Sequence, residues 1–125
     1  MTGGTGLGIG RVVGLLAVAC VLAAGQLLFK LASERLVLGQ GTSALLASFI
    51  SRPMLAALVL YAFATVLWVY LLHGIALSRA YPFIALAFAL VPLLGSLVLG
   101  ESPGMRYWLG LAIMLGGLYV AVASL

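Results

Sequence analysis

The sequence predicts an all-α membrane protein made of four transmembrane helices. Of its 125 residues, 66% are hydrophobic and only 6% are charged, whereas a soluble domain carries about 25% charged residues. Because so few charges cannot cover a water-facing surface, we expect the chain to lie in a lipid bilayer. One span needs about 20 apolar residues, so four spans and short turns form one transmembrane domain over 1–125, without room for a soluble domain.

The first apolar run is a membrane span and not a cleaved signal. Span one is predicted from Arg11 to Ala32, and "SERLVLGQGTS" ends it. The run continues past Cys20 and is therefore too long for a signal core. Beyond it, "TSALLASFIS" repeats large apolar residues at helical spacing, which predicts a short helix lying in the membrane interface.

Proline and serine predict where the later spans begin. Span two opens at "SRP", with Ser51 as cap and Pro53 in the first turn, and runs to about His73. Pro82 is predicted to start span three, which extends to about Leu99. Span four is predicted over 105–124, with Ser102 as cap and Pro103 in its first turn. Since the last two turns are short, spans two, three and four should be antiparallel neighbours.

Small residues recur every four positions in spans one and four, which lets membrane helices approach closely. Span four carries two such pairs on neighbouring faces and is the predicted dimer face, although glycine is also simply common in membrane helices. The residues of these repeats are Gly6, Gly10 and Gly14, which lead into span one, and Ala112, Gly116, Gly117 and Ala121 in span four.

The polar residues do not form the catalytic pattern of an enzyme. The sequence has no phosphate-binding loop, no nucleophile–base pair and no grouping of metal ligands, so we predict neither enzyme activity nor a cofactor or metal. The six basic residues are scattered singly, mostly near the ends of apolar runs. This arrangement anchors helices to head groups and does not predict nucleic-acid binding.

Gln26 and Lys30 in "AGQLLFK" lie one helical turn apart on one face. With span one centred near Leu22, they stand about 6 Å and about 12 Å from the midplane, at a rise of about 1.5 Å per residue. Lys30 is close enough to the interface to snorkel and act only as an anchor. Gln26 should face protein or a water-filled cleft. Together they offer one positive charge and two amide donors, which suits an anionic head group.

Three further residues have both a structural and a functional interpretation. Glu101 closes span three and either pairs with Arg106 or Lys30 or binds a cationic group of a substrate. Tyr81 opens span three and is either an interface tyrosine or part of a site. Pro92, in the middle of that span, should kink the helix and is either a hinge or a packing feature.

"AGQLLFK", "SRAYPFIALAFALVPLLGSLVLGE" and "RYWLGLAIMLGGLYV" resemble the four-helix branch of the drug/metabolite transporter superfamily. One group in this branch is the small multidrug resistance proteins, which share the fold, the lysine of span one and the Ala80–Tyr81 pair. They exchange cations and protons at a membrane-embedded glutamate eight residues before the lysine. Leu22 occupies that position here, so the resemblance to this group argues against cation antiport.

The closer resemblance is to the aminoarabinose–phospho-undecaprenol flippase subunits of bacterial lipid A modification. Their span one carries "AGQ…K", their span three opens with "AYP" and ends in a glutamate, and span four has a "W-G…GG" pattern. This chain has all of these features, and Arg79 before "AYP" is a departure.

The resemblance implies flipping of a polyprenyl-phosphate-linked sugar across the bacterial inner membrane by a dimer, either with a sister subunit or with a second copy. Gln26 and Lys30 would hold the phosphate, Glu101 an amino sugar, and Arg79 the phosphate at the opposite membrane face. A non-transporting membrane partner that stabilises another pathway protein, or a proton-coupled cation exporter, are the alternatives.

Overall fold

A computed structural model describes residues 8–124, and within them the chain forms six α-helices and no strand. In chain order these are α1 (Ile9–Ser33), α2 (Thr42–Ser48), α3 (Arg52–Leu72), α4 (Leu77–Ile84), α5 (Ala87–Val98) and α6 (Met105–Ala123). Four segments are long and apolar enough to cross a membrane: α1, α3, α6, and α4 together with α5. The prediction of a four-helix membrane protein is confirmed.

Helix α1 is the centre of the molecule. It packs against α3, α4 and α5, whereas α6 packs mainly against α4. The core cluster is made of small and branched residues that let these helices approach closely. Its buried members are Leu15, Val18, Ala64, Leu71 and Ala80.

One end of α1 is tied to the end of α3. The Arg11 guanidinium donates hydrogen bonds to the carbonyls of Leu71 at 2.9 Å and His73 at 2.6 Å. The last carbonyls of a helix lack intrahelical donors and carry partial negative charge, so a cation there satisfies them. Gly14 lies next to this tie, and a Cβ on it would stand 2.8 Å from Leu71 Cδ2. Gly14 therefore serves packing inside the chain, while the position of Gly6 lies outside the described residues.

The segment between the first two spans contains the predicted short helix, α2. The Ser48 hydroxyl near its end accepts a hydrogen bond from the Val37 N–H at 2.9 Å, which ties the preceding loop to it. The start of α3 is also as predicted: Ser51 is the N-cap and accepts from the Met54 N–H, with Pro53 in the first turn. The location of α2 at the membrane surface stays a prediction.

The predicted start of span three at Pro82 is wrong, because the helix begins five residues earlier, at Leu77. The backbone N–H groups of Arg79 and Ala80 both donate to the Ala76 carbonyl, and Ala80 is buried in the core. Packing of Ala80 thus favours a helical turn before the proline. Pro82 lies inside α4, where it cannot donate to the carbonyl four residues back.

The predicted start of span four at Met105 is confirmed, but its predicted cap is wrong, since Gly104 and not Ser102 is the N-cap of α6. Gly100 ends α5 with a φ of 73°, in the left-handed region that favours glycine. The following Glu101 N–H still donates to the Gly95 carbonyl at 3.2 Å. The reversal of the chain therefore occupies Glu101–Gly104, and Pro103 precedes the helix.

Helix α6 leaves its small residues uncovered. Ala112, Gly116, Gly117 and Ala121 are all exposed. A Cβ added to either glycine would meet nothing within 4 Å. The small faces of α6 are thus free of contacts within the described chain, and their role in a dimer stays a prediction.

Candidate functional site: a polar groove along the first helix

A hydrogen bond joins the middles of α1 and α3. Gln26 Nε2 donates to the hydroxyl oxygen of Tyr61 at 2.6 Å. The Tyr61 ring can approach because the neighbouring residue on α1 is Gly25, which is buried and where a Cβ would overlap that ring. The ring of Phe29 also packs against the Tyr61 ring, with ring centroids 5.1 Å apart. In the "AGQ" stretch, the glycine therefore leaves room for the Tyr61 ring and the glutamine binds its hydroxyl.

Gln26 and Tyr61 lie in the wall of a cavity of about 500 Å³, the main cavity of the groove. Tyr81 and Pro92 also line it, and Tyr107 closes it from the α6 side. The remaining wall is apolar and comes chiefly from α4 and α5. A cavity of this size with few polar groups is typical of a binding site for a small or amphipathic molecule.

A second cavity of about 190 Å³ adjoins the first at Gln26 and contains both Lys30 and Glu101. Glu101 reaches it by folding back over Gly95, where a Cβ would collide with its carboxylate. The absence of a side chain at Gly95 thus gives the carboxylate room beside α5. This cavity presents a positive and a negative group from two different helices.

The ion pairs considered for Glu101 do not form in the described residues. Lys30 Nζ instead lies 4.0 Å from a carboxylate oxygen of Glu34, one turn further along α1. Both side chains are about half exposed, so this pair is worth little in stability. Lys30 is therefore held at one end of the second cavity by a weak, exchangeable contact.

A third cavity of about 160 Å³ adjoins the main one on the side away from Lys30. Tyr81 borders both cavities, and its ring meets Trp68 edge-on at 6.0 Å. Leu22 also lines both cavities. The position at which small multidrug resistance proteins carry their glutamate thus faces the groove in this chain, but as an apolar side chain.

Two predicted residues take other places. Arg79 is half-buried in the first turn of α4, at the end of the molecule opposite Lys30, and does not line these three cavities. Pro92 lies within α5, which continues through it. At Ala85–Leu86 the third span keeps right-handed helical dihedral angles. Only the regular α-helical hydrogen bonding is interrupted there, because the Leu86 N–H donates to the Phe83 carbonyl, three residues back. A hinge at Pro92 stays a prediction.

Tyr61 is the residue that sequence reasoning missed. It lies near the centre of an apolar span, and a polar side chain at that depth indicates a contact with protein or a cavity. The described residues contain no cluster of three His, Cys, Asp or Glu side chains that could hold a metal ion. The available chemistry is therefore hydrogen bonding and charge.

The fold and the groove define a small multi-pass membrane protein with a polar site along its central helix. Its relatives make the description more specific. The chain is 32% identical over 72 residues to a protein of Proteus mirabilis named "Probable 4-amino-4-deoxy-L-arabinose-phosphoundecaprenol flippase subunit ArnE", a match covering 57% of this chain and 64% of the relative. Proteins of the same name from Yersinia pestis and Yersinia pseudotuberculosis are 37% identical over 67 residues, covering 54% of this chain and 59% of theirs.

These comparisons confirm the resemblance to the flippase subunits, over a match that spans about 60% of the length of these relatives. No protein-family model matches the chain. No solved structure matches it either.

Proposed function

We propose that this chain is a transporter subunit, and not an enzyme, that moves a polyprenyl-phosphate-linked sugar across the bacterial inner membrane. The observation that carries the proposal is the position of Lys30 and Gln26 in one groove beside apolar walls. An anionic sugar phosphate needs donors to leave water, whereas its polyprenyl tail can stay in lipid. The names of the relatives favour aminoarabinose-phosphoundecaprenol, and with it a role in lipid A modification.

Each polar residue has a distinct role in this proposal. The Lys30 ammonium and the Gln26 amide hold the phosphate, as a charged donor and a neutral one. Glu101, in the same cavity as Lys30, binds the ammonium group of an amino sugar. Tyr81 lines the path towards the opposite end, where Arg79 meets the phosphate on the other side of the membrane. Pro92 and the nearby interruption of helical hydrogen bonding allow the groove to open.

The transporting unit is a dimer, either with a sister four-helix subunit or with a second copy. In α6, none of the 18 most apolar consecutive residues is buried within the chain. The groove is also open on one side, so four helices leave the polar head group partly uncovered. A second subunit would complete the enclosure.

The test is ligand-dependent stabilisation of the purified protein in detergent. A ligand that binds only the folded state raises the apparent unfolding temperature. We expect undecaprenyl phosphate and its aminoarabinose derivative to stabilise the wild type, and Lys30→Ala to weaken binding by at least about tenfold, as expected for loss of a charge-assisted contact. Arg106→Ala is the matched control, because Arg106 is an exposed basic residue outside the cavities.

Three results would contradict the proposal in different ways. If wild type and Lys30→Ala bound undecaprenyl phosphate equally well, the proposed phosphate site at Lys30 would be wrong. Stabilisation only by a quaternary ammonium drug would favour the cation exporter, despite Leu22. No stabilisation by any ligand, combined with loss of a partner protein when the chain is deleted, would favour a non-transporting stabilising subunit.

A further inference from the structure

The three cavities lie in series along α1. The cavity with Lys30 and Glu101 shares Gln26 and Val91 with the main cavity. The main cavity in turn shares Leu22, Tyr81 and Ile84 with the cavity beside Trp68. On α1 the cavities extend from Val18 to Lys30, a distance of about 18 Å at a rise of about 1.5 Å per residue. The series therefore follows α1 through the central part of the predicted membrane.

Tyr61 lies at the middle of this series. Its hydroxyl oxygen accepts the hydrogen bond from Gln26, so its own proton remains available to a second acceptor. No further partner of the Tyr61 hydroxyl is found in the described part of the chain, and the side chain borders the main cavity. An O–H group in an apolar cavity is a strong donor site for an anionic oxygen.

The contacts around Tyr61 fix its ring. Gly25 and Phe29, one turn apart on α1, lie against it, and Gln26 holds its hydroxyl. Thr65, one turn further along α3, bonds back to the Tyr61 carbonyl at 2.7 Å and borders the next cavity. A donor that is already oriented loses little freedom when it binds a ligand.

We propose that Tyr61 is the central phosphate-binding residue of a transmembrane track, and that Gln26 and Tyr61 act there as one unit. The proposal deepens the proposed function and rests on it. A polyprenyl phosphate that leaves Lys30 enters the main cavity, whose wall is apolar except for Gln26 and three tyrosines. The Tyr61 hydroxyl and the Gln26 amide supply neutral donors there, which lower the barrier without trapping the anion as a buried cation would.

The first experiment compares Tyr61→Phe with Tyr70→Phe. Both changes remove one hydroxyl from α3, but Tyr70 is 75% exposed and borders none of the three cavities. Binding of undecaprenyl phosphate and of uncharged undecaprenol is measured by thermal shift in detergent. We expect Tyr61→Phe to weaken binding of the phosphate about tenfold, the effect of one hydrogen bond to a charged group, with binding of the alcohol unchanged and Tyr70→Phe like wild type.

The double variant Gln26→Leu/Tyr61→Phe tests whether the two residues act together. We expect it to bind the phosphate about as weakly as either single variant, because residues of one unit are not additive. Additive losses would overturn the claim of a single unit. If Tyr61→Phe weakened binding of undecaprenyl phosphate and of undecaprenol equally, Tyr61 would be a packing residue only.

A labelling experiment tests the track without changing Tyr61. In a Cys20→Ser background, Thr65→Cys is compared with Val66→Cys, its exposed neighbour that borders none of the three cavities. We expect a water-soluble thiol reagent to label position 65 faster than 66, and undecaprenyl phosphate to slow only the former. Equal labelling rates at positions 65 and 66 would contradict the proposal that the cavities form a track.

The two proposals fail in different ways. If wild type binds no polyprenyl phosphate, the proposed function fails. If wild type binds it and Lys30→Ala does not, but Tyr61→Phe matches Tyr70→Phe, only the role of Tyr61 fails.

Discussion

Helices α1 and α6 are both apolar membrane spans, yet they differ in what they touch. Of the 18 most apolar consecutive residues, 28% are buried in α1 and none in α6, where the best covered side chains are only half-buried. Two glycines of α1, Gly14 and Gly25, lie under side chains of α3, while Gly116 and Gly117 of α6 face open space. The comparison shows that glycine serves packing inside the chain at two positions of α1, whereas the small residues of α6 have no such role in the described chain.

The largest expected effect comes from Gly25→Val. The new side chain would overlap the Tyr61 ring, and overpacking of this kind destabilises by about 1–3 kcal/mol. We expect a clear fall in unfolding temperature together with loss of polyprenyl phosphate binding, measured by thermal unfolding in detergent. Gly116→Val on α6 is the matched control and should leave the unfolding temperature of the monomer nearly unchanged. Equal falls would show that α6 is packed as tightly as α1.

A smaller effect is expected from Arg11→Met. This change keeps an unbranched side chain, although a shorter one, and removes both hydrogen bonds to the end of α3. For a partly exposed contact we expect a loss of about 1–2 kcal/mol in unfolding free energy, measured by chemical denaturation in micelles. Arg52→Met is the control, because Arg52 is exposed at the start of α3. If Arg11→Met matched this control, α1 and α3 would be held by apolar packing alone.

The smallest effect on folding, and a large one on assembly, is expected from Gly117→Leu. A Cβ at Gly117 meets nothing in the described residues, so the folded monomer should keep its stability within about 0.5 kcal/mol. If α6 is the dimer face, the larger side chain should separate the helices and shift the population to monomer. Cross-linking and light scattering in detergent measure this shift, and an unchanged dimer would place the interface on another helix.

Much of this architecture could be predicted from hydropathy, because each span is long and bounded by charges, glycine or proline. The cap at Ser51 followed from local chemistry, which acts within one turn. The start of α4 and the cap of α6 did not, because burial of Ala80 and the reversal after Gly100 depend on contacts with other parts of the chain. Proline marks where a helix can begin, but tertiary packing decides where it does begin.

The candidate site could be predicted only in part. Gln26, Lys30 and Glu101 were found because polar groups are rare in apolar spans, and the structure places them around adjoining cavities. Tyr61 was missed because a tyrosine is compatible with lipid, core and interface alike. Its significance depends on Gly25 and Gln26 lying opposite it, which only the packing of α1 on α3 reveals.

The interruption at Ala85–Leu86 divides the contacts of the third span between its two halves. Helix α4 contacts both α1 and α6, whereas α5 contacts α1 and leads to Glu101. Both halves pack on α1, so a bend at the interruption would change the position of α5 and Glu101 relative to α4 without detaching either half from the central helix. The two ends of the groove thus belong to separate helical segments, and the width of one end is not tied to the width of the other.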